Sequence, residues 1–255
     1  MMDETNIYHI ILFSKRRVLG LLFKNCNFNC IGCINKLSPW SPSLPKNIQE
    51  KLKSKPLKTL SLEQLKQILS QFSDLKVALL SGQEPTLDPN LPKIVEILNH
   101  YGLGTILETN AYCLNEDKIK NLEVAGLEEV RVSIKAYNDE LHKYYTGKSN
   151  KEVLKNFRLL WSSELIPRAT TVLIPGLVDK DEVENIARFI SSVDEGIMFT
   201  VIGYVAVPPA PWRSASIDEV IEAVNISRRH LRNVWWVHHG IQVDEEVLCI
   251  YPELI

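Results

Sequence analysis

Short apolar runs alternate with amphipathic stretches along this chain. Six of the runs, Arg17–Phe23, Lys76–Leu80, Gly104–Glu108, Glu128–Ile134, Arg168–Ile174 and Met198–Gly203, have the length and character of strands. Helical signatures lie between them. Ser61 with Gln64 three positions on is a capping-box pair, and Leu62, Leu65, Ile68, Leu69 and Phe72 follow at helical spacing. A second helix is expected from near Asp88, with Pro89 in its first turn and Leu91, Ile94, Val95 and Leu98 facing inward. Asn115 and Gly126 fit the two ends of a third. Asn150 opens a fourth, with Val153, Leu154, Phe157, Leu160 and Trp161 on its buried side. Asp179 with Glu182, and Ser216 with Glu219, are two more capping pairs.

This alternation predicts parallel strands joined by crossover helices. Six strand–helix units fall short of the eight of a closed barrel, so the pattern is that of a partial barrel or an open α/β sheet. Ile34–Leu60 is the longest irregular segment, and Val234–Ile255 is a C-terminal extension with one candidate strand. No linker divides the chain, and residues 1–255 are expected to form a single domain.

The composition, 45% hydrophobic and 24% charged, is enough for a core and excludes a disordered chain. The formal net charge of −2 supplies no basic field for nucleic acid. No apolar run reaches the roughly 18 residues that span a bilayer, and the first residues lack the basic and apolar regions of a signal peptide, so a cytoplasmic location is expected.

Three of the five cysteines, Cys26, Cys30 and Cys33, fall within eight residues, in Cys-x3-Cys-x2-Cys spacing just after the first predicted strand. In a reducing compartment such a cluster points to metal or catalysis rather than a disulfide. A loop wraps three thiolates around one inorganic centre; iron–sulfur clusters normally take four cysteines, so three leave one iron for a non-protein ligand. A structural zinc site also wants four donors, and no histidine nearby in sequence supplies the fourth. Cys113, Cys249 or a distant histidine keeps zinc open as an alternative. Otherwise Cys113 and Cys249 read as small buried apolar side chains. His238 and His239, as neighbours in a strand, are expected to face opposite sides. Trp235 and Trp236 read as packing residues. Five lysines between Lys46 and Lys58 read as a solvated face, or as a dock for an acidic electron donor.

The cysteine spacing resembles that of the radical SAM superfamily. The resemblance implies a partial (β/α)6 barrel, one 4Fe–4S cluster held by Cys26, Cys30 and Cys33, and S-adenosylmethionine on the fourth iron. The aromatic residue usual before the third cysteine is replaced by Gly32. Ser81-Gly82-Gln83-Glu84-Pro85 resembles the family's Gly-Gly-Glu-Pro segment, which implies that Gly82, Gln83 and Glu84 meet the cofactor's ammonium. Glu108-Thr109-Asn110 is similar to the family's Asp-Thr-Asn, implying ribose contacts for Glu108 and Asn110. Ser133-Ile134-Lys135 and Leu141-His142-x3-Thr146-Gly147 are similar to segments of glycyl-radical-enzyme activases, the group that includes the pyruvate formate-lyase activating enzyme. That match implies cofactor contacts for Ser133 and Lys135. Arg168 stands on the strand where activases carry an arginine, two residues farther from Pro175-Gly176, and so keeps the strand face but not the depth. The Pro208–Trp212 loop holds no histidine where activases often place one.

The expected function is therefore reductive cleavage of S-adenosylmethionine to a 5′-deoxyadenosyl radical, with a glycyl radical enzyme as protein substrate and a flavodoxin- or ferredoxin-type reductant. A radical SAM enzyme acting on a small molecule or another macromolecule is the alternative within the family. An iron–sulfur electron carrier and a zinc-binding module are the alternatives outside it. With three cysteines assigned, the two that are left cannot build an auxiliary cluster.

Overall fold

The computed structural model describes residues 3–241 and 244–253. Nine strands form one sheet: β1 (Ile7–Phe13), β2 (Val18–Phe23), β3 (Val77–Gly82), β4 (Gly104–Thr109), β5 (Glu129–Ser133), β6 (Ile166–Leu173), β7 (Phe199–Gly203), β8 (Val234–Val237) and β9 (Val247–Tyr251). Their order is β8-β7-β6-β5-β4-β3-β2-β1-β9. From β2 to β8 every neighbouring pair is parallel. β1 and β9 add antiparallel to that run at the β2 side. The six expected strands are all present, at bounds within two residues of the pattern. β8 extends the parallel set, and β9 supplies the C-terminal strand from the opposite edge. Residues 242, 243, 254 and 255 of the Val234–Ile255 extension lie outside the described residues.

The helices are α1 (Lys46–Leu52), α2 (Leu62–Leu69), α3 (Leu91–His100), α4 (Glu116–Val124), α5 (Asp139–Thr146), α6 (Lys151–Trp161), α7 (Lys180–Val193) and α8 (Ile217–Ser227). Ser61 and Ser216 form the capping boxes their sequences announce, each accepting from the third helical N–H while the Gln64 or Glu219 side chain accepts from the cap residue's own N–H. The Asp179–Glu182 pair does not form one. Asp179 accepts instead from Gly176 N (3.0 Å), and Glu182 accepts from the backbone N–H groups of Tyr137 (2.6 Å) and Asn138 (2.7 Å), tying the start of α7 to the start of α5. The helix expected from Asp88 begins at Leu91, because Asp88 is spent on the N–H groups of Asn6 (2.6 Å) and Asn90 (2.8 Å).

The core lies between the helices and the parallel strands, with Leu80, Leu107, Val130, Val132, Phe157, Ile186 and Phe199 fully buried. A second, smaller cluster covers the antiparallel edge. The Ile34–Leu60 segment is not irregular throughout: it carries α1, whose Ile48 and Leu52, four apart, face the same cluster. Trp40, Leu44 and Leu52 pack on Tyr8, Ile11 and Leu22, and the Tyr8 hydroxyl donates to Pro39 O. The five lysines of that segment lie on its outer side, with Lys46, Lys51, Lys53 and Lys58 exposed, as a solvated face requires. Trp236 packs against the core, whereas Trp235, one residue out of phase on β8, is 65% exposed and does not.

The carboxyl-terminal ends of β3 and β4 are joined by one side chain. Glu84, fully buried, accepts from Thr86 N (3.2 Å), Thr86 Oγ1 (2.6 Å), Thr109 Oγ1 (2.6 Å) and Asn110 N (2.7 Å). Burial pushes its carboxyl above the ordinary range, and these donors oppose that push. Two fold-level outcomes follow. Glu84→Ala strands its donors in a dry site and lowers the unfolding free energy by about 2–4 kcal/mol in denaturant titration. Ser216→Ala, which removes only a cap, costs about 1 kcal/mol in the same measurement.

Candidate active site

Apart from Arg131 and Thr170, which stand midway along β5 and β6, the residues lining one cavity of about 550 Å3 come from the carboxyl-terminal ends of the parallel strands, the loops that leave them, and α5. This is the edge at which parallel α/β sheets gather ligands, because successive strand ends release the chain into irregular loops there. Cys26, Cys30 and Cys33 line one side; Gly82, Gln83, Glu108, Asn110, Ser133 and Lys135 line others.

The cysteine loop leaves β2 through Asn25, whose φ of 74° turns the chain sharply. Its carbonyl accepts from Glu84 N (2.9 Å), so the turn is fastened to the end of β3. Asn110 Nδ2 donates to Asn27 Oδ1 (2.8 Å) and lies 3.8 Å from Cys26 Sγ, fastening the loop to the end of β4. On the far side, Asn29 N and Ile31 N donate to the carbonyls of Thr146 (2.9 Å) and Tyr145 (3.0 Å), the last residues of α5. All three thiols are free. Burial pushes the Cys30 thiol up to about 11 and the Cys26 thiol in the same direction, and the Lys135 ammonium draws both back. Deprotonated, as ligands must be, these thiols gain most from a bound cation.

Gly82 ends β3 with a φ of +96°, and a Cβ there would stand 2.8 Å from Phe23 N and 2.9 Å from Phe23 O. Only glycine fits, and the close approach leaves backbone, not side chain, at that point of the rim. Gly82 O accepts from Asn35 Nδ2 (3.3 Å). Lys135 donates to Ser133 Oγ (2.7 Å), so this pair from the end of β5 presents one cation to the cavity. Glu108 faces the same space, 3.8 Å from Arg131. Enclosure raises its carboxyl above the ordinary range, opposed by Arg131 and Lys135.

Two residues of the sequence-derived set stand elsewhere. Glu84 is turned away from the cavity into the strand tie described above, because the Thr and Asn donors behind it outnumber anything at the rim. Arg168 lies on the same face of β6 as the lining residues Thr170 and Val172, but one and two steps deeper. There it pairs with Glu129 (2.7 Å), which also holds Arg131 (2.6 Å). Face is kept and depth is lost, as its distance from Pro175-Gly176 implied.

Sequence reasoning left the space above Gly32 unexplained, and Tyr204 occupies it. A Cβ on Gly32 would lie 2.5 Å from the Tyr204 hydroxyl and 3.0 Å from two ring carbons. Tyr204 is buried, accepts from Val207 N (3.2 Å) and lines the cavity together with Tyr145. Tyr204 directly follows β7, at the edge where activases often place a histidine, but nothing in the sequence ties its ring to Gly32.

Four peripheral residues differ from expectation or stand apart from the site. β8 ends at Val237, so His238 and His239 are not strand neighbours, and their rings lie 4.2 Å apart. His238 is spent on Ala215 O (2.9 Å) and Gly240 N (2.9 Å). Cys113 and Cys249 are half-buried rather than buried, and neither lines the cavity.

No helix among the described residues is long and apolar enough to cross a membrane. Residues 21–190 match the Radical SAM superfamily. A Methanocaldococcus jannaschii protein provisionally named a glycyl-radical enzyme activating enzyme is 32% identical over 237 residues, 91% of this chain and 84% of that one. The pyruvate formate-lyase-activating enzyme of Staphylococcus aureus is 30% identical over 151 residues, 57% of this chain and 60% of that one. Among solved structures, Streptococcus suis SuiB bound to S-adenosylmethionine superposes with a TM-score of 0.63 at 16% identity, covering 84% of this chain and 48% of that one. A domain of the pyruvate-formate lyase-activating enzyme from Bacteroides vulgatus gives 0.51 at 15% identity, covering 58% and 89%. The parallel run with its ligand edge, the three-thiol loop and the match over most of the length agree: the chain belongs to the radical SAM superfamily, whose members use a 4Fe–4S cluster and S-adenosylmethionine.

Proposed function

We propose that this protein is a glycyl-radical-enzyme activase, with Cys26, Cys30 and Cys33 holding a 4Fe–4S cluster and the cavity beside them taking S-adenosylmethionine. The observation that carries the reading is the donor set. Three free thiols on one loop line the cavity, and no fourth cysteine or histidine lines it with them. Among the described residues, no three His, Cys, Asp or Glu side chains are grouped for a single metal ion, which counts against zinc. A four-iron cage takes its thiolates at separate corners and leaves one corner for a non-protein ligand.

Cys26, Cys30 and Cys33 would hold the cluster, which would supply the low-potential electron for reductive cleavage of S-adenosylmethionine. The chain's own part is to bind, orient and exclude water. Lys135, held by Ser133, offsets the charge of an anionic cluster and of the cofactor's carboxylate. The Gly82 rim offers backbone to the cofactor's ammonium. Glu108 and Asn110 present an acceptor and an amide at the end of β4, suited to ribose hydroxyls. Arg131 lines the cavity, pairing with Glu129 and lying 3.8 Å from Glu108, and Arg168 packs beneath it on Glu129. Activase-type chemistry is supported by the named relatives and by the Ser133–Lys135 and Leu141–Gly147 segments. A low-potential flavodoxin- or ferredoxin-type protein is the proposed reductant, and a backbone glycine of a partner protein the proposed hydrogen donor.

Anaerobic reconstitution with iron and sulfide, reduction with dithionite and assay for 5′-deoxyadenosine test the reading. The intact chain should form the product, and Cys26→Ser, Cys30→Ser and Cys33→Ser should each abolish it. A fully loaded preparation that forms none overturns the proposal. Lys135→Met should raise KM for S-adenosylmethionine about ten- to a hundredfold, the effect of losing a hydrogen bond to a charged group, in steady-state assay of the same product.

A further inference from the structure

The end of α5 that holds the thiol loop contains a buried histidine that lines no part of the cavity. His142 is fully buried. Its Nδ1 lies 2.7 Å from Lys148 O and 3.2 Å from Thr146 Oγ1. A carbonyl only accepts, so Nδ1 carries the proton. Thr146 Oγ1 donates to His142 O (2.8 Å) and accepts from Lys148 N (3.1 Å). Gly147, at φ 79°, turns the chain out of the helix so that this short circuit closes. Nε2 is buried without a hydrogen-bond partner. The ring meets the Phe28 ring at 84°, centroids 5.4 Å apart. Phe28 lies between Cys26 and Cys30.

The last carbonyls of a helix have no partner within it. Here two of them, at Thr146 and Tyr145, accept from Asn29 N and Ile31 N respectively, the backbone on either side of Cys30. The loop is thus held by alternate N–H groups on one side and by an aromatic edge contact on the other.

We propose that the end of α5 is a clamp that sets the spacing of the three thiols, with His142 its positioning residue: the Nδ1–H bond to Lys148 O fixes the helix exit, the exit aims the two carbonyls, and the ring seats Phe28. This rests on the reading that the loop holds the cluster. The clamp is a property of the protein without its cofactor, and can be measured there.

Amide hydrogen exchange on the apoprotein and iron release to a chelator from the anaerobically loaded protein test it together. In His142→Ala, the Asn29 and Ile31 amides should exchange about tenfold faster while Val130 in β5 keeps its protection. Iron should leave about tenfold faster, the usual effect of removing a residue that orients metal ligands. The electron paramagnetic resonance spectrum of the reduced cluster should broaden. His142→Asn, whose side-chain amide can replace the Nδ1–H donor, should restore most of each. Phe28→Leu attacks the contact from the loop side and carries the test even where His142→Ala fails to fold. Unchanged exchange at Asn29 and Ile31 in a folded variant, or unchanged iron release, overturns the clamp. If the intact chain takes up no cluster while the apoprotein exchange changes as expected, the cluster reading fails and the clamp stands as a loop-ordering device.

Discussion

The loop that carries the three cysteines belongs to no strand or helix, and apart from the turn that Cys33 N closes on Cys30 O (3.3 Å) its backbone is fastened by partners outside it. That constraint organises the site. On one side the partners come from strand ends: Asn25 O accepts from Glu84 N, and Asn110 reaches Asn27. On the other they are the terminal carbonyls of α5. Parallel strands end in register, which gives a common edge, and a helix ends with free acceptors, which gives a second anchor. A loop fastened at both ends and in its middle can hold three polarisable groups at fixed separations without a fold of its own.

The strand side of this arrangement depends in turn on Glu84. A carboxylate that accepts four hydrogen bonds in a dry place joins the ends of β3 and β4 more rigidly than ladder bonds alone, and the backbone N–H of Asn110 is one of its donors. The residue that gives the Glu-Pro segment its charge therefore acts behind the rim, while the rim itself is built by Gly82 and by the Ser133–Lys135 pair. Charge at the surface of the cavity includes Lys135, Glu108 and Arg131, and beneath it Arg168 is spent on Glu129.

Much of this was readable from residues. Apolar runs separated by capped helices announced the parallel order, and the capping boxes at Ser61 and Ser216 form as written. The cysteine spacing placed the loop, and four strand ends carrying polar residues placed the cavity. What was not readable depended on contacts between distant segments. β1 is buried on nearly every position, His9 included, with no alternation to mark it, and it is recognised only through its pairing with β2 and β9. The Asp179–Glu182 spacing looked like a cap, yet both carboxylates found better donors in loops. The distance of Arg168 from Pro175-Gly176 announced its lost depth, but its partner Glu129 came only with the register against β5. His238 and His239 were judged by strand geometry that ends one residue too soon.

The ring of Tyr204 over Gly32 has a consequence for how this chain can change over time. A side chain at position 32 would collide with a buried, hydrogen-bonded tyrosine, so the two sites are not free to vary one at a time. A survey of single replacements would score position 32 as an obligate glycine, although its backbone needs none. The restriction is epistatic, and a lineage that shrinks the tyrosine first would reopen the position to bulkier residues.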